Sequence, residues 1–202
     1  TLKSLGIRLP SPNTACFAKR CRKLLGGDHG ELLEMVGPSL EILDALTRNI
    51  RELERRIEEM CREKYPATAR LRQITGVGAI TALTYVLVIG DPERFGSVRD
   101  VGAYLGLVPK RDQSGDVDKE LRITKAGNAY LRRLLVSCAQ YMLGPFGADC
   151  DLRRHGLALA ERGGRSAKKK AVVAITRKLS VLMLTLWKRD LEYVPLTMSE
   201  AA

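Results

Sequence analysis

The sequence is poor in the residues that carry metal and redox chemistry. Its two histidines, His29 and His155, stand alone. Five cysteines are scattered at Cys16, Cys21, Cys61, Cys138 and Cys150, with no C-x-x-C pair among them. A zinc centre needs thiolates or imidazoles clustered at short spacing, so no metal site is expected in this chain. An odd number of dispersed cysteines reads as reduced thiols of a cytosolic protein. No apolar run approaches the roughly 20 residues of a membrane helix, and no signal peptide is present, which excludes a membrane partner. Internal repeats and low-complexity segments are missing too. The chain begins on Thr1 rather than Met, so a fragment or a processed chain is expected.

Aromatics make up only 5% of the 202 residues, whereas hydrophobic residues reach 45%. That is enough for a packed core, and the dominance of Leu, Val, Ile and Ala favours helices. The formal net charge is +11. A surplus of this size points to a polyanion. It is unevenly placed: residues 1–66 hold 12 Lys+Arg against 10 Asp+Glu, and residues 67–202 hold 22 against 13. Whatever binds the polyanion therefore belongs mainly to the C-terminal part.

The opening 13 residues, with Gly6, Pro10 and Pro12, read as irregular. Asn13 or Thr14 can cap a short helix, ACFAKRCRKLL, that ends at Gly26-Gly27. Asp28 can cap a second one through Val36, which Gly37-Pro38 should stop. Ser39 then opens the most regular segment. Leu43, Leu46, Ile50, Leu53, Ile57 and Met60 follow a 3-4-3-4-3 spacing, an a/d heptad seam, with mixed charges between them. This predicts a coiled coil over residues 39–64 that joins copies of the chain; a helix packed on its own core is the alternative reading. Tyr65-Pro66 ends it.

Next comes ITGVGAITA. Gly76-Val77-Gly78, flanked by apolar helical residues, resembles a helix-hairpin-helix turn. Two glycines allow a tight turn whose N–H groups, at the start of a helix, can grip a phosphate without reading sequence. An ordinary glycine-containing helix–helix turn is the plainer reading. A helix over about residues 97–105, capped by Ser97, is followed by β-prone flanks around a turn that predict a small hairpin. Strong helical patterns begin after Gly127-Asn128 and at residue 166, with a short polar helix at about residues 149–161 between them. In the last helix Val172, Ile175, Leu179, Leu182 and Leu186 form the expected buried stripe, and Lys168, Lys169 and Lys170 crowd its start. Those lysines fit either nucleic-acid contact or a solvated face.

The hairpin raises a question of chemistry. Ser114 stands in a turn with Asp112, Gly115 and Asp116, and cations lie on both sides: Lys110, Arg111, Lys119, Arg122, Lys125, Arg132 and Arg133. Guanidinium and ammonium groups neutralise phosphate, which is what a hydroxyl attacking a phosphodiester requires. No strong base is nearby, and serine is an ordinary turn residue, so the residues alone favour a structural serine. The aspartates do not fit a known oxygen cage for a metal.

From Leu71 to about Pro195 the chain resembles the C-terminal domain of the insertion-sequence one-ten/one-sixteen family of transposases. The resemblance rests on the order ITGVGAITA, then RFGSVRDVGAYLGLVPKRDQSGDVDKELRITKAGNAYLRRLL, then KKKAVVAITRKL. It implies an RNA-guided DNA recombinase. Ser114, in the P-x-x-x-x-S-G pattern from Pro109 to Gly115, corresponds to the family's nucleophilic serine, with Arg111, Arg122 and Lys125 as its phosphate-neutralising neighbours. DNA and a structured guide RNA are the implied partners, contacted through Gly76, Val77, Gly78, Lys110, Arg132, Arg133, Lys168, Lys169 and Lys170. The family's RuvC-like N-terminal domain supplies four carboxylates for Mg²⁺, but residues 1–38 offer only Asp28, Glu31 and Glu34. A truncated gene or a fragment, inert alone, is therefore expected, working in the bacterial cytoplasm at the nucleoid.

The expected architecture is mainly α. Residues 1–66 hold the coiled-coil helix, and residues 67–202 form a compact helical domain with a helix-hairpin-helix-like turn and a small hairpin. Two functions outside catalysis compete with the recombinase. One is a non-catalytic nucleic-acid-binding module of helix-hairpin-helix type; the other is an oligomerisation domain, which the placement of the charge disfavours.

Overall fold

A computed structural model describes residues 6–7, 13–27, 29–114, 117–164 and 166–196, without the side chains of 14, 111–114 and 117–120. Among the described residues the chain is mainly helical, with eight α-helices and one two-stranded antiparallel sheet. It divides into two compact units, residues 1–58 and 59–202.

In the first unit, Asn13 accepts a hydrogen bond from the Ala15 N–H and starts a single 3-10 turn. Helix α1 (Phe17–Leu25) follows and stops at Gly26-Gly27. Helix α2 (Gly30–Lys64) overturns the expected stop at Gly37-Pro38, because it runs unbroken through Pro38. The proline deprives the Glu34 carbonyl of its partner, but both residues are exposed, so water can take the lost bond. Meanwhile Leu33 and Val36 before the proline and Leu40 after it pack on one cluster with Ala18 and Cys21 of α1. Burial on both sides of Pro38 holds the helix through it. The Arg22–Asp44 pair, 2.6 Å apart, adds a half-exposed tie between α1 and α2. Farther along, Glu52 accepts from both Arg55 and Arg56, which hold its carboxyl down at about 2. The heptad seam lies open in the single chain, with Ile50 and Leu53 more than half exposed.

The second unit is organised on α8 (Ala167–Lys188). Helices α3 (Ala67–Leu71), α5 (Asp100–Tyr104), α6 (Ala129–Leu143) and α7 (Asp151–Glu161) all pack on it, while α4 (Ala79–Ile89) packs on α3 and α6. The buried face of α8 is wider than the expected stripe and rotated from it. Ala171, Ile175, Leu179, Met183, Leu184 and Leu186 are buried, whereas Val172 and Leu182 stay partly exposed. A helix enclosed by neighbours on several sides needs more than one apolar row. Its buried hydroxyls are satisfied within the helix: Thr176 donates to the Val172 carbonyl and Ser180 to the Arg177 carbonyl. Tyr85 of α4 donates to the Ser180 carbonyl at 2.7 Å, and burial pushes its phenol well above the ordinary value. Two N-termini are capped by side chains: for α6, Asn128 accepts from the Leu131 N–H, and for α7 the Cys150 sulfur accepts from the Arg153 N–H. All five cysteines are free thiols.

Replacing Pro38 by Ala should restore one backbone bond and remove one clash without touching the packed face. Stabilisation of residues 1–58 by about 1–3 kcal/mol is expected. Urea unfolding followed by helical circular dichroism checks this, and a destabilised Pro38→Ala would mean that α2 does not run through this position.

Candidate nucleic-acid interface

The hairpin is built from β1 (Pro109–Ser114) and β2 (Val117–Ile123). Ser114 pairs with Val117 at its far end and Pro109 with Ile123 at its base, with an irregular register between residues 109 and 111. The side chains of Ser114 and Arg111 lie outside the described residues. The backbone nevertheless separates what looks like a ring in the sequence. Lys110 and Arg122, both exposed, sit at the base of the ribbon, and Lys125 lies beyond it. Five residues of strand, roughly 16 Å, part this level from Ser114.

That base is stiff for steric reasons. Gly106 and Gly127 both take positive φ, 67° and 73°. A Cβ on Gly106 would come within 2.3 Å of the Ala126 backbone, and one on Gly127 within 2.1 Å of the Tyr104 carbonyl oxygen. Lys125 also has a positive φ of 58°, a conformation that a residue with a side chain adopts at a cost of roughly 1 kcal/mol. Its N–H donates to the Gly106 carbonyl, and the Thr124 N–H donates to that of Val108. Arg132 closes the junction, with Nη1 donating to the Leu105 carbonyl at 3.0 Å and the Ala126 carbonyl at 2.7 Å. Its guanidinium thus holds the hairpin's root. Arg133, one residue on, is exposed. The Thr124 hydroxyl oxygen is buried and makes no hydrogen bond.

The glycine turn joins α3 to α4. Ile74 and Val77 are buried and anchor it, so Val77 is a packing residue. Gly76 has φ 93° and lies against the ring of Tyr141, which a Cβ would meet at 2.9 Å. Gly78 precedes the first turn of α4 in extended conformation, with no side-chain cap and open space where its Cβ would be. The turn can therefore present backbone N–H groups to an approaching anion. Tyr141, roughly half exposed beside it, was not legible as a site residue, because only the fold brings α6 to this turn.

Lys168, Lys169 and Lys170 occupy the first turn of α8, all exposed, with no acidic residue among them. Cations at a helix N-terminus oppose the helix dipole, so stability does not account for them. Around the β-hairpin, the glycine turn and these lysines, no group of three or more His, Cys, Asp or Glu among the described residues is placed to hold a metal ion.

Residues 68–147, from α3 through the hairpin and α6 to the loop after it, match the family model described as transposase IS116/IS110/IS902 family. Residues 68–147 belong to this transposase family. Relatives agree. The chain is 48% identical over 69 residues to a putative transposase, y4qE, of Sinorhizobium fredii, which covers 34% of this chain and 18% of that protein. It is 35% identical over 125 residues to the transposase for insertion sequence element IS1111A of Coxiella burnetii, covering 61% of this chain and 34% of that one. A probable family 20 transposase of Pseudomonas aeruginosa is 32% identical over 167 residues, covering 82% of this chain and 47% of that protein. The chain thus spans less than half the length of each of these transposases.

The transposase domain's hairpin root gives a sharp test. Gly127→Ala should cost about 2–4 kcal/mol, because the new methyl meets a backbone carbonyl as well as an unfavourable φ. Gly163→Ala carries the same φ penalty (78°) in open space and should cost only about 1 kcal/mol. Equal losses in denaturant unfolding would show that the close approach to Tyr104 does not matter.

Proposed function

We propose that this chain is the DNA-contacting, serine-bearing part of an insertion-sequence transposase, acting in DNA transposition and recombination. The observation that carries the reading is the family match over residues 68–147, which takes in the glycine turn, the ribbon with Ser114 and its stiff root together. The net charge of residues 67–202 and the lysines that oppose the α8 dipole support a polyanionic partner. A structured guide RNA is the second partner.

Ser114 is the nucleophile in this reading. Its Oγ bonds to phosphorus as a phosphorus–oxygen bond to deoxyribose breaks. The serine loses a proton, and the departing sugar oxygen gains one. Arg111 flanks the serine in sequence and is the cation assigned to the developing charge in this reading. Arg122, Lys125 and Lys110, at the ribbon's base, steer the neighbouring phosphates. Metal ligands come from outside this chain, which is inert alone. It works in the bacterial cytoplasm at the nucleoid. Among the described residues no helix is long and apolar enough to cross a membrane.

Two sets of substitutions separate grip from chemistry. Neutralising Lys168, Lys169 and Lys170 should flatten the slope of log affinity against log salt for duplex DNA, by about 0.9 for each phosphate that these lysines neutralise. An unchanged slope removes them from the interface. Ser114→Ala should leave affinity nearly unchanged, yet abolish the covalent protein–DNA adduct formed with a relative's missing portion, guide RNA and Mg²⁺ supplied in trans. An adduct that persists in Ser114→Ala moves the nucleophile elsewhere. Loss of binding together with the adduct would favour a non-catalytic helix-hairpin-helix module with a structural serine.

The chain also self-associates in this reading, through the open seam of α2. Exposed Leu46, Ile50 and Leu53 at heptad spacing support it. Ile50→Asp with Leu53→Asp should convert an oligomer to a monomer in sedimentation velocity. Wild-type chain that sediments as a monomer would refute it.

A further inference from the structure

A groove of about 940 Å³ runs along α8 between α5, α7 and the segment 191–195. Apart from Arg99 its lining residues follow the matched segment, and neither the hairpin nor the glycine turn contributes to it. Its chemistry changes along its length. At one end Arg99, Arg177 and Lys178 line it, with His155 beside them. None of the three cations meets a carboxylate within ion-pair distance among the described residues. Val181 and Leu182 form an apolar floor in the middle. Asp151 and Glu192 line the other end, where α7 begins and the chain leaves α8. From Lys178 to Leu186 the helix advances roughly 12 Å, about the reach of one nucleotide from phosphate to base edge.

Two further details mark the cationic end as built. Arg177 lies across Gly102 of α5, where a Cβ would meet its Cγ and its Nε at 3.1 Å each. A Cβ there would press on the arginine stem and shift it by a few tenths of an ångström. Burial, then the charges of Lys178 and Arg162, hold His155 below the ordinary imidazole value. The imidazole is thus neutral at pH 7, with a nitrogen free to accept or donate beside the cations.

We propose that this groove binds an unpaired nucleotide of a nucleic-acid strand. The phosphate sits on Arg99, Arg177 and Lys178, the base covers Val181 and Leu182, and its amino-bearing edge donates to Asp151 and Glu192. A base in a duplex is closed to such a slot, whereas a single strand offers phosphate, flat apolar face and amine in that order. Carboxylates accept from the exocyclic amino groups of cytosine and adenine, whereas thymine and uracil offer them only the ring N3–H between two repelling carbonyl oxygens. The inference rests on the nucleic-acid-contacting reading above and adds a second, strand-selective site to it.

The test uses the full chain and fluorescein-labelled 12-mers of dC, dT, rC and U, with a 12-base-pair duplex alongside. Wild type should bind the cytosine strands several-fold more tightly than dT or U, and the deoxy and ribo series name the strand that occupies the groove. The variant Arg99→Gln, Arg177→Gln, Lys178→Gln should lose roughly tenfold or more in strand affinity at 0.1 M salt. Its salt slope should fall by about 2, at ~0.7 per charge, and duplex binding should barely change. Asp151→Asn with Glu192→Gln should erase the preference for cytosine without weakening binding to dT. Photo-crosslinks from 5-iodocytosine should map to residues 178–186. Strand binding unchanged in the triple variant, or crosslinks found only outside the groove, would overturn the groove and leave the duplex-contacting reading standing. A wild-type chain that binds neither strand nor duplex would overturn both.

Discussion

Burial of α8 is the constraint on which residues 59–196 depend. Four helices lean on it directly, and α4 is tied to it through the Tyr85 hydroxyl on the Ser180 carbonyl. Its buried residues rank among the most enclosed of the chain, with Ala171, Ile175, Leu179, Met183 and Leu184 fully shielded from solvent. Each such side chain stabilises the fold by roughly 1.5–3 kcal/mol relative to exposure, so this one helix accounts for much of the unit's stability. Loss of α8 would remove the main partner of the apolar faces of α5, α6 and α7.

With the core secured in this way, the surface elements can be shaped by other demands. The hairpin's root is held by two positive-φ glycines, a strained lysine and an arginine clamped on two carbonyls. Such a junction fixes the direction in which a ribbon leaves the body. The glycine turn is treated differently at its two glycines. Gly76 is locked against Tyr141, while Gly78 faces open space. One glycine serves packing and the other leaves room for a ligand, and the N–H groups of α4 point toward that room.

The electrostatics follow the same division. Acid–base pairs such as Arg22–Asp44 and Glu52 with Arg55 and Arg56 decorate the first unit, where the charge nearly balances. In the second unit lysines stand at the start of α8 against the dipole, and Arg99, Arg177 and Lys178 collect on one groove. Uncompensated cations weaken a fold slightly, and the polyanionic partner proposed above would account for their placement.

Much of this was legible in the chain itself. Periodicity, caps and glycine pairs marked α1, the C-terminal end of α2, α6 and α8, because each signal acts within a few residues of where it stands. The motif order that identifies the transposase family is likewise a linear property. Pro38 misled, since the local rule that stops a helix gave way to packing on α1, and no local signal reports a partner helix. The cation ring around Ser114 also belonged to the sequence alone: antiparallel pairing draws it into a ribbon with Lys110, Arg122 and Lys125 at the far end. Tyr141 beside Gly76, the clamp of Arg132, and the meeting of Arg99 with Arg177, Lys178 and His155 join residues far apart in the chain. Composition and short-range spacing determined the helical class, and the order of motifs determined the family resemblance. Which side chains face the same space was decided by the tertiary packing on α8, because only burial brings distant segments together.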